Sequence, residues 1–172
     1  MIDKKMEAAL NDQINEEVYS AYLYFAMSAY YSEQNLPGLA NWMHVQGMEE
    51  LTHASKFYLF IQDRGGHVAF KPIAAPPSAW KSPAVPFAEA FKHEQHITGC
   101  INKLVTLAQK VNDHASVVFL NWFVNEQVEE EKNASEMAHK TRLGESSPSA
   151  LFFVDQEAGT RVFTPPAATT PA

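Results

Sequence analysis

Glutamate side chains fall on the apolar stripes of four long helical segments, where they would point into a core. In the first segment, turning about 100° per residue puts Glu17 about 20° from Leu10 and Tyr24. The same stepping places one or two side chains able to bind a metal on the stripe of each of the other three segments. The full set is Glu17, Glu50, His53, Glu94, Gln127 and Glu130.

The glutamates also match in height along two helical hairpins. Residues equally distant from the turn of an antiparallel hairpin lie level with one another. Glu17 and Glu50 have their midpoint near residue 33.5, close to a turn at Asn35, and Glu94 and Glu130 have theirs at residue 112. The two conditions together predict one cluster inside a helical bundle.

Carboxylates that share a core need compensation, because burying an unpaired charge costs several kcal/mol or more. No basic residue lies near these positions on the stripes. Glutamates with one neutral histidine suit Fe(II) and Fe(III), and one carboxylate can bridge two irons. We therefore predict a centre for two irons.

The chain has a second Glu-x-x-His pair, Glu136 and His139. We predict no metal site there, because Glu136 lies about 180° round the helix from Gln127 and points away from the core.

Four helices must position these side chains, and helical periodicity runs to about Gly144. The predicted segments are about Asp3 to Tyr31, Pro37 to Asp63, Pro86 to Val111 and His114 to Arg142. The stretch from His67 to Pro86 carries five prolines and cannot be helical throughout. Short, long and short connections predict an all-α four-helix bundle with one long crossover. We expect the bundle in residues 1–145, a short C-terminal fifth helix in 146–160 and a disordered Pro/Thr/Ala tail in 161–172.

Composition limits the function classes. The chain has 172 residues, enough for one domain, and a formal net charge of -7, which disfavours nucleic acid as a partner. Cys100 is its only cysteine, so an intramolecular disulfide is excluded, and we expect this residue to be a small buried hydrophobe. No run of 18 apolar residues predicts a membrane span, and the first residues lack an apolar signal core. The expected location is the cytoplasm.

Four short segments resemble the ferroxidase motifs of bacterial non-haem ferritins in order and spacing. They are Glu17-Val18-Tyr19-Ser20, Glu49-Glu50-Leu51-Thr52-His53, Lys92-His93-Glu94-Gln95 and Asn125-Glu126-Gln127-Val128-Glu129-Glu130-Glu131-Lys132. The resemblance covers about residues 1 to 155. It implies a homo-oligomeric cage of 24 subunits that oxidises Fe(II) with oxygen or hydrogen peroxide and stores ferric mineral inside.

The same resemblance assigns roles to the side chains. Glu17, Glu50 and His53 would bind the first iron, with Glu50 bridging to the second. Glu94 and Glu130 would bind the second iron.

Two further side chains belong beside this pair of irons by resemblance. Gln127 would lie next to the second iron, and Tyr24 would act as an electron donor. A core aromatic residue with a satisfied hydroxyl explains Tyr24 equally well.

A third iron site is also implied by the resemblance, through Glu49, Glu126 and Glu129, which would share Glu130. The alternative for these three is a solvated acidic face. No haem is expected, because Leu51 stands where bacterioferritins place a haem-ligating methionine.

Three functions are considered for this arrangement of residues. The first is an iron-storage ferroxidase. The second is a di-iron carboxylate oxidase acting on a small organic substrate, which needs a cavity beside the metals. The third is a metal-free helical interaction module, which would leave Glu17, Glu50, Glu94 and Glu130 without a physical explanation. The size of the assembly separates the first two, and metal content separates the third.

Overall fold

The computed structural model describes residues 2–165, which form five α-helices and no strand. The helices are α1 (Lys4–Glu33), α2 (Pro37–Asp63), α3 (Val85–Lys110), α4 (His114–Gly144) and α5 (Pro148–Ala158). Helix α1 packs on α2 and α3 packs on α4, while α1 also contacts α3, and α5 contacts α2 and α4. The predicted four-helix bundle with a short fifth helix is confirmed. None of the described helices combines the length and the apolar character needed to span a membrane.

The two hairpins are closed by the same backbone turn. Asn35 and Asn112 adopt left-handed conformations, with φ of 56° and 54°, which asparagine tolerates better than most residues. In the first turn the amide of Leu36 donates to the carbonyl of Tyr31 at 3.0 Å, and the second turn has the equivalent bond at 2.8 Å. These turns hold the paired helices at a fixed height relative to each other.

Aspartate side chains or prolines stand at the first turn of each helix. The side chain of Asp3 accepts hydrogen bonds from the amides of Lys5 and Met6, and Asp113 accepts one from the amide of Ser116. Helices α2, α3 and α5 each begin with a proline in the first two positions, where the missing N–H costs nothing.

The long connection between α2 and α3 runs alongside α1. Near its start, Asn11 donates to the carbonyl of His67 at 3.0 Å and accepts from the amide of Ala69 at 2.7 Å. Near its end, the hydroxyl of Tyr31 donates to the carbonyl of Pro83 at 2.6 Å. Because Asn11 and Tyr31 lie near opposite ends of α1, the connection crosses the bundle from end to end, as predicted.

Helix α5 docks on the beginning of α2 through a close backbone approach. Asp155 accepts a hydrogen bond of 2.9 Å from the amide of Leu39. A Cβ atom at Gly38 would lie 1.7 Å from the carbonyl oxygen of Asp155, so only glycine fits there. Beyond α5, the guanidinium of Arg161 lies 4.2 Å from the centre of the Trp42 ring. Of the tail expected to be disordered, residues 166–172 lie outside the described residues.

The bundle interior consists of two apolar clusters. One contains Tyr24, Met27, Leu39 and Met43, and the other contains Leu10, Ile14, Phe57 and Phe123. On α1 the boundary falls between Ile14 and Leu23, and on α2 it falls between Met43 and Phe57. The glutamates of the predicted metal centre occupy this boundary.

Candidate metal centre

The layer between the two apolar clusters is polar and buried. Each of the four long helices contributes to it, and each of the six predicted ligand side chains exposes 4% or less of its surface. Those side chains are Glu17, Glu50, His53, Glu94, Gln127 and Glu130. Such complete burial of four carboxyl groups requires a specific arrangement of partners.

One half of the layer joins α1 to α2. One ligand atom from each of Glu17, Glu50 and His53 lies within 4.8 Å of the others. The Nδ1 atom of His53 is 3.2 Å from Oε2 of Glu50 and 3.9 Å from Oε2 of Glu17. Oε2 of Glu17 is buried and accepts no hydrogen bond. A buried carboxyl oxygen without a hydrogen-bond partner is unfavourable, and a cation held by these three residues would satisfy it.

The other half of the layer joins α1 to α3 and α4. The hydroxyl of Tyr24 donates to Oε1 of Glu94. The amide of Gln127 donates to Oε2 of the same carboxylate at 3.2 Å and also lies 3.3 Å from the hydroxyl oxygen of Thr98. The structure therefore brings Tyr24 and Gln127 beside Glu94.

Two glutamines outside the predicted set of ligands donate hydrogen bonds to the carboxyl groups of the centre. The amide of Gln46 donates to Oε1 of Glu50 at 3.0 Å and to Oε2 of Glu130 at 2.8 Å. The amide of Gln13 donates to Oε1 of Glu17 at 2.7 Å. Each glutamine lies four residues before a glutamate of the centre on the same helix face, which is the sequence signal that could have identified it.

The carboxyl groups repel one another in the absence of a cation. Burial raises the pKa of Glu17 to about 8, and the negative charge of Glu50 adds to the effect. Burial and Glu50 likewise raise the pKa of Glu94 to about 8, and burial, Glu94 and Glu50 raise the pKa of Glu130 well above its ordinary value. Burial alone would also raise the pKa of Glu50, but the charge and hydrogen bond of His53 lower it overall. A bound cation would allow all four groups to ionise.

His53 supplies positive charge to the metal-free centre. Burial alone would lower the pKa of its imidazole, but the nearby carboxylates of Glu126 and Glu50 raise it well above the ordinary value. The ring also meets the indole of Trp122 edge-on, with 5.5 Å between ring centres. The imidazole is thus held by neighbours on α2 and α4, and a metal at this position would replace its proton.

The residues implied in a third iron site are only partly brought together. Oε1 of Glu126 lies 3.8 Å from Nε2 of His53, and both residues group with Glu130 within 4.8 Å. Glu129 is exposed on α4.

Glu49 has a different partner. Its carboxylate forms an ion pair with Arg161, a residue of the predicted tail. Burial raises the pKa of Glu49, and the charge of Arg161 opposes that effect.

Comparisons with known proteins agree with this architecture. A family model described as "Ferritin-like domain" matches residues 7–144. The bacterial non-heme ferritin of Staphylococcus aureus (strain MRSA252) is 38% identical over 164 residues, which are 95% of this chain and 98% of that protein. The corresponding protein of Staphylococcus haemolyticus shows the same identity and coverage.

Solved structures give the same result. An open pore ferritin from the hyperthermophilic archaeon Archaeoglobus fulgidus superposes with a TM-score of 0.92 at 44% identity, covering 94% of this chain and 100% of that chain. A closed form of the A. fulgidus ferritin, engineered by site-directed mutagenesis, superposes with a TM-score of 0.93 at 45% identity, covering 95% of this chain and 100% of that one.

Proposed function

The chain belongs to the ferritin family, and from that premise we propose that it is an iron-storage ferroxidase. Fe(II) is the substrate: it binds in the polar layer, is oxidised there to Fe(III) and is stored as mineral inside a cage of identical subunits. The observation that carries the proposal is the buried carboxylate and histidine layer, in which an oxygen of Glu17 has no hydrogen-bond donor. Oxygen and imidazole donors of this kind suit iron.

The positions of the side chains support a division of roles. Glu17, Glu50 and His53 would hold one Fe(II), and Glu94 and Glu130 would hold the other. The two oxygens of Glu50 have different neighbours, because Oε2 faces His53 while Oε1 faces the amide of Gln46. A carboxylate placed in this way can bridge two cations, which supports Glu50 as the shared ligand.

The proposed reaction is an electron transfer that balances over two irons. Each Fe(II) gives up one electron, and dioxygen takes two electrons and two protons to become hydrogen peroxide. Hydrogen peroxide as the oxidant would take two electrons and two protons and become two molecules of water. The protein contributes fixed positions for both irons, which makes the paired transfer intramolecular.

Tyr24 is a candidate donor of one of the two electrons that the oxidant takes, in place of one Fe(II). Its hydroxyl donates a hydrogen bond to Glu94, so the phenolic proton has an acceptor when the ring is oxidised. The ring is fully buried, and burial together with Glu94 raises its pKa well above the ordinary value. Tyr24 is therefore neutral until it is oxidised.

An oxidase acting on an organic substrate is supported less well. Such a substrate would have to lie beside the irons, where Tyr24 and Gln127 donate hydrogen bonds to Glu94. Gln46 fills the space between Glu50 and Glu130. Apolar clusters pack above and below the layer.

We also propose a cage of 24 subunits, with a third iron held by Glu49, Glu126, Glu129 and Glu130. Large apolar side chains on the surface of the single chain support assembly. Phe70, Phe152 and Phe153 expose 74%, 58% and 71% of their surfaces. Light scattering at micromolar concentration should give a mass many times that of one chain, and the mass of a single subunit would contradict the cage.

Stopped-flow absorbance after mixing anaerobic Fe(II) protein with oxygen tests the ferroxidase proposal. Glu50→Ala should abolish rapid oxidation, because it removes the shared ligand. Glu136→Ala is the matched control, since Glu136 is an exposed glutamate on α4 and should leave the rate unchanged. Wild-type initial rates in an assembled Glu50→Ala protein would refute the proposal.

A further inference from the structure

A second group of metal-binding side chains lies on the face that α1 and α3 share. It consists of Glu16 on α1 and of His96 and Cys100 on α3, and one donor atom from each lies within 4.8 Å of the others. Oε2 of Glu16 is 3.1 Å from Nε2 of His96, and the sulfur of Cys100 is 3.6 Å from the same nitrogen. The prediction that Cys100 is buried was wrong, because its side chain is partly exposed beside His96.

We propose that Glu16, His96 and Cys100 form a Zn²⁺ site in which water is the fourth ligand. The proposed ferroxidase chemistry does not use these three residues, so each proposal can be tested independently of the other. The site has the composition of a zinc centre that mixes sulfur, nitrogen and oxygen donors.

The distances agree with tetrahedral zinc. Bonds of about 2.05 Å to nitrogen and about 2.3 Å to sulfur place these two atoms about 3.6 Å apart at a tetrahedral angle. The observed separation between His96 and Cys100 is 3.6 Å. A carboxylate oxygen bound at about 2.1 Å would lie about 3.4 Å from the nitrogen, compared with the observed 3.1 Å. These two separations agree with a tetrahedral ion to within a few tenths of an ångström, and the oxygen of Glu16 lies within 4.8 Å of the sulfur of Cys100.

The helices hold the donors in this arrangement. His96 and Cys100 are four residues apart, so their side chains lie on one face of α3. Glu16 reaches them from the neighbouring α1, which packs against α3. His96 and Glu16 are 54% and 36% exposed at their side chains, so water and a metal ion can approach from outside.

Two neighbouring side chains, those of His93 and Lys103, are not available as further ligands. His93 lies nearby, with 6.1 Å between its ring centre and that of His96, but its Nε2 atom is engaged with the hydroxyl of Ser20 at 2.7 Å. The amine of Lys103 is also close enough to influence Cys100, and a protonated amine cannot bind a metal.

The sulfur of Cys100 gives this site a preference for a different metal ion from the one that the buried centre prefers. Thiolates favour Zn²⁺ over the harder cations that oxygen ligands prefer. The ferroxidase layer contains oxygen and nitrogen donors but no sulfur, because Cys100 is the only cysteine of the chain. The protein would thus hold Zn²⁺ on the α1–α3 face and Fe(II) inside the bundle.

Cobalt(II) is the probe that separates the two sites. The assembled, metal-free protein with its thiol reduced is titrated with Co(II) without oxygen. A thiolate-to-cobalt charge-transfer band can come only from Cys100, whatever binds at the oxygen and nitrogen ligands of the buried centre. We expect the band to reach the amplitude of one thiolate-bound Co(II) per subunit once cobalt is in excess, and to disappear when Zn²⁺ in excess displaces the cobalt.

Variants test whether all three residues take part. Cys100→Ser should remove the band, and Glu16→Ala and His96→Ala should each weaken the cobalt binding that produces it by roughly tenfold or more, since each removes one ligand. His139→Ala is the control, because His139 is an exposed histidine on α4 and should leave the titration unchanged. Circular dichroism and gel filtration verify that each variant is folded and assembled.

Two results would overturn the proposal. The first is a folded, assembled wild-type protein that gives no thiolate band with Co(II). The second is a band whose titration is unchanged in both Glu16→Ala and His96→Ala, because cobalt would then be bound by Cys100 alone.

Discussion

The side-chain amide of Gln46 on α2 donates a hydrogen bond of 2.8 Å to Glu130 on α4. The same amide donates a hydrogen bond of 3.0 Å to Oε1 of Glu50, so one neutral side chain positions carboxyl groups from two helices. Backbone packing does not join these helices, since no Cα atoms of α2 and α4 approach within 8 Å in the described part of the chain. Their relative position at the centre therefore depends on side chains.

Replacing this amide should slow iron oxidation without unfolding the protein. Gln46→Leu keeps a similar volume but removes the donor to Glu50 and Glu130. We expect initial oxidation to slow by about 10- to 100-fold, as is typical when a group that orients metal ligands is lost. Stopped-flow absorbance measures this rate. Gln109→Leu, at an exposed position of α3, is the control, and equal rates in the two variants would show that Gln46 does not position the ligands.

Arg161 occupies the carboxylate of Glu49, which is a proposed ligand of the third iron. Its guanidinium pairs with the Glu49 carboxylate and lies over the Trp42 ring. Arg161→Ala should free the carboxylate and tighten binding of a third Fe(II) by about fivefold, which corresponds to about 1 kcal/mol for a partly exposed ion pair. Anaerobic equilibrium dialysis measures this affinity. Arg142→Ala, which removes an exposed arginine on α4, should have no effect, and unchanged binding in Arg161→Ala would argue against Glu49 as a ligand.

The sequence predicted the helices well because their signals are local. The limits of α2 agree at both ends, since Pro37 begins the helix and the Gly65-Gly66 pair follows it. Angular stepping also identified the six buried side chains, because a regular helix fixes the direction of each residue. Contacts made after the last helix have no such periodicity, so the pairing of Arg161 with Glu49 could not be predicted. Cys100 was misjudged because it lies about 60° to one side of Ile97 on the α3 stripe.

The docking of α5 depends on the absence of a side chain at Gly38. Gly38→Ala would place a methyl group 1.7 Å from the carbonyl oxygen of Asp155 unless α5 moves away. We expect a loss of roughly 1–3 kcal/mol in the free energy of unfolding, measured by chemical denaturation. Gly99→Ala is the matched control, because its Cβ would meet nothing within 4 Å and alanine favours a helix. Equal stability changes in the two variants would contradict the close approach.

An ion pair at the end of the bundle should make stability depend on pH. Asp113 caps the start of α4 and accepts a hydrogen bond of 3.2 Å from Arg64. Burial alone would raise the pKa of Asp113, but Arg64 and Ser116 lower it below the ordinary value of 3.8. A lowered pKa in the folded state stabilises the protein above pH 3.8, and this contribution is lost as the pH falls through the folded value.

Asp113→Asn removes the charge but keeps a side chain that can cap the helix. We expect the variant to be less stable than the wild type by about 1 kcal/mol at pH 7, because the pair is partly exposed. The difference should shrink as the pH is lowered below 3.8. Urea denaturation at a series of pH values measures it, and a difference independent of pH would show that the charge of Asp113 does not stabilise the fold.

The central claim is that iron binds inside the bundle at the polar layer. The most direct measurement is anomalous scattering from crystals soaked anaerobically with Fe(II). We predict two iron peaks in each subunit, one about 2.0–2.3 Å from donor atoms of Glu17, Glu50 and His53 and the other at a similar distance from Glu94 and Glu130. Iron peaks found only on the outer surface of the protein, with the buried layer free of metal, would contradict the account.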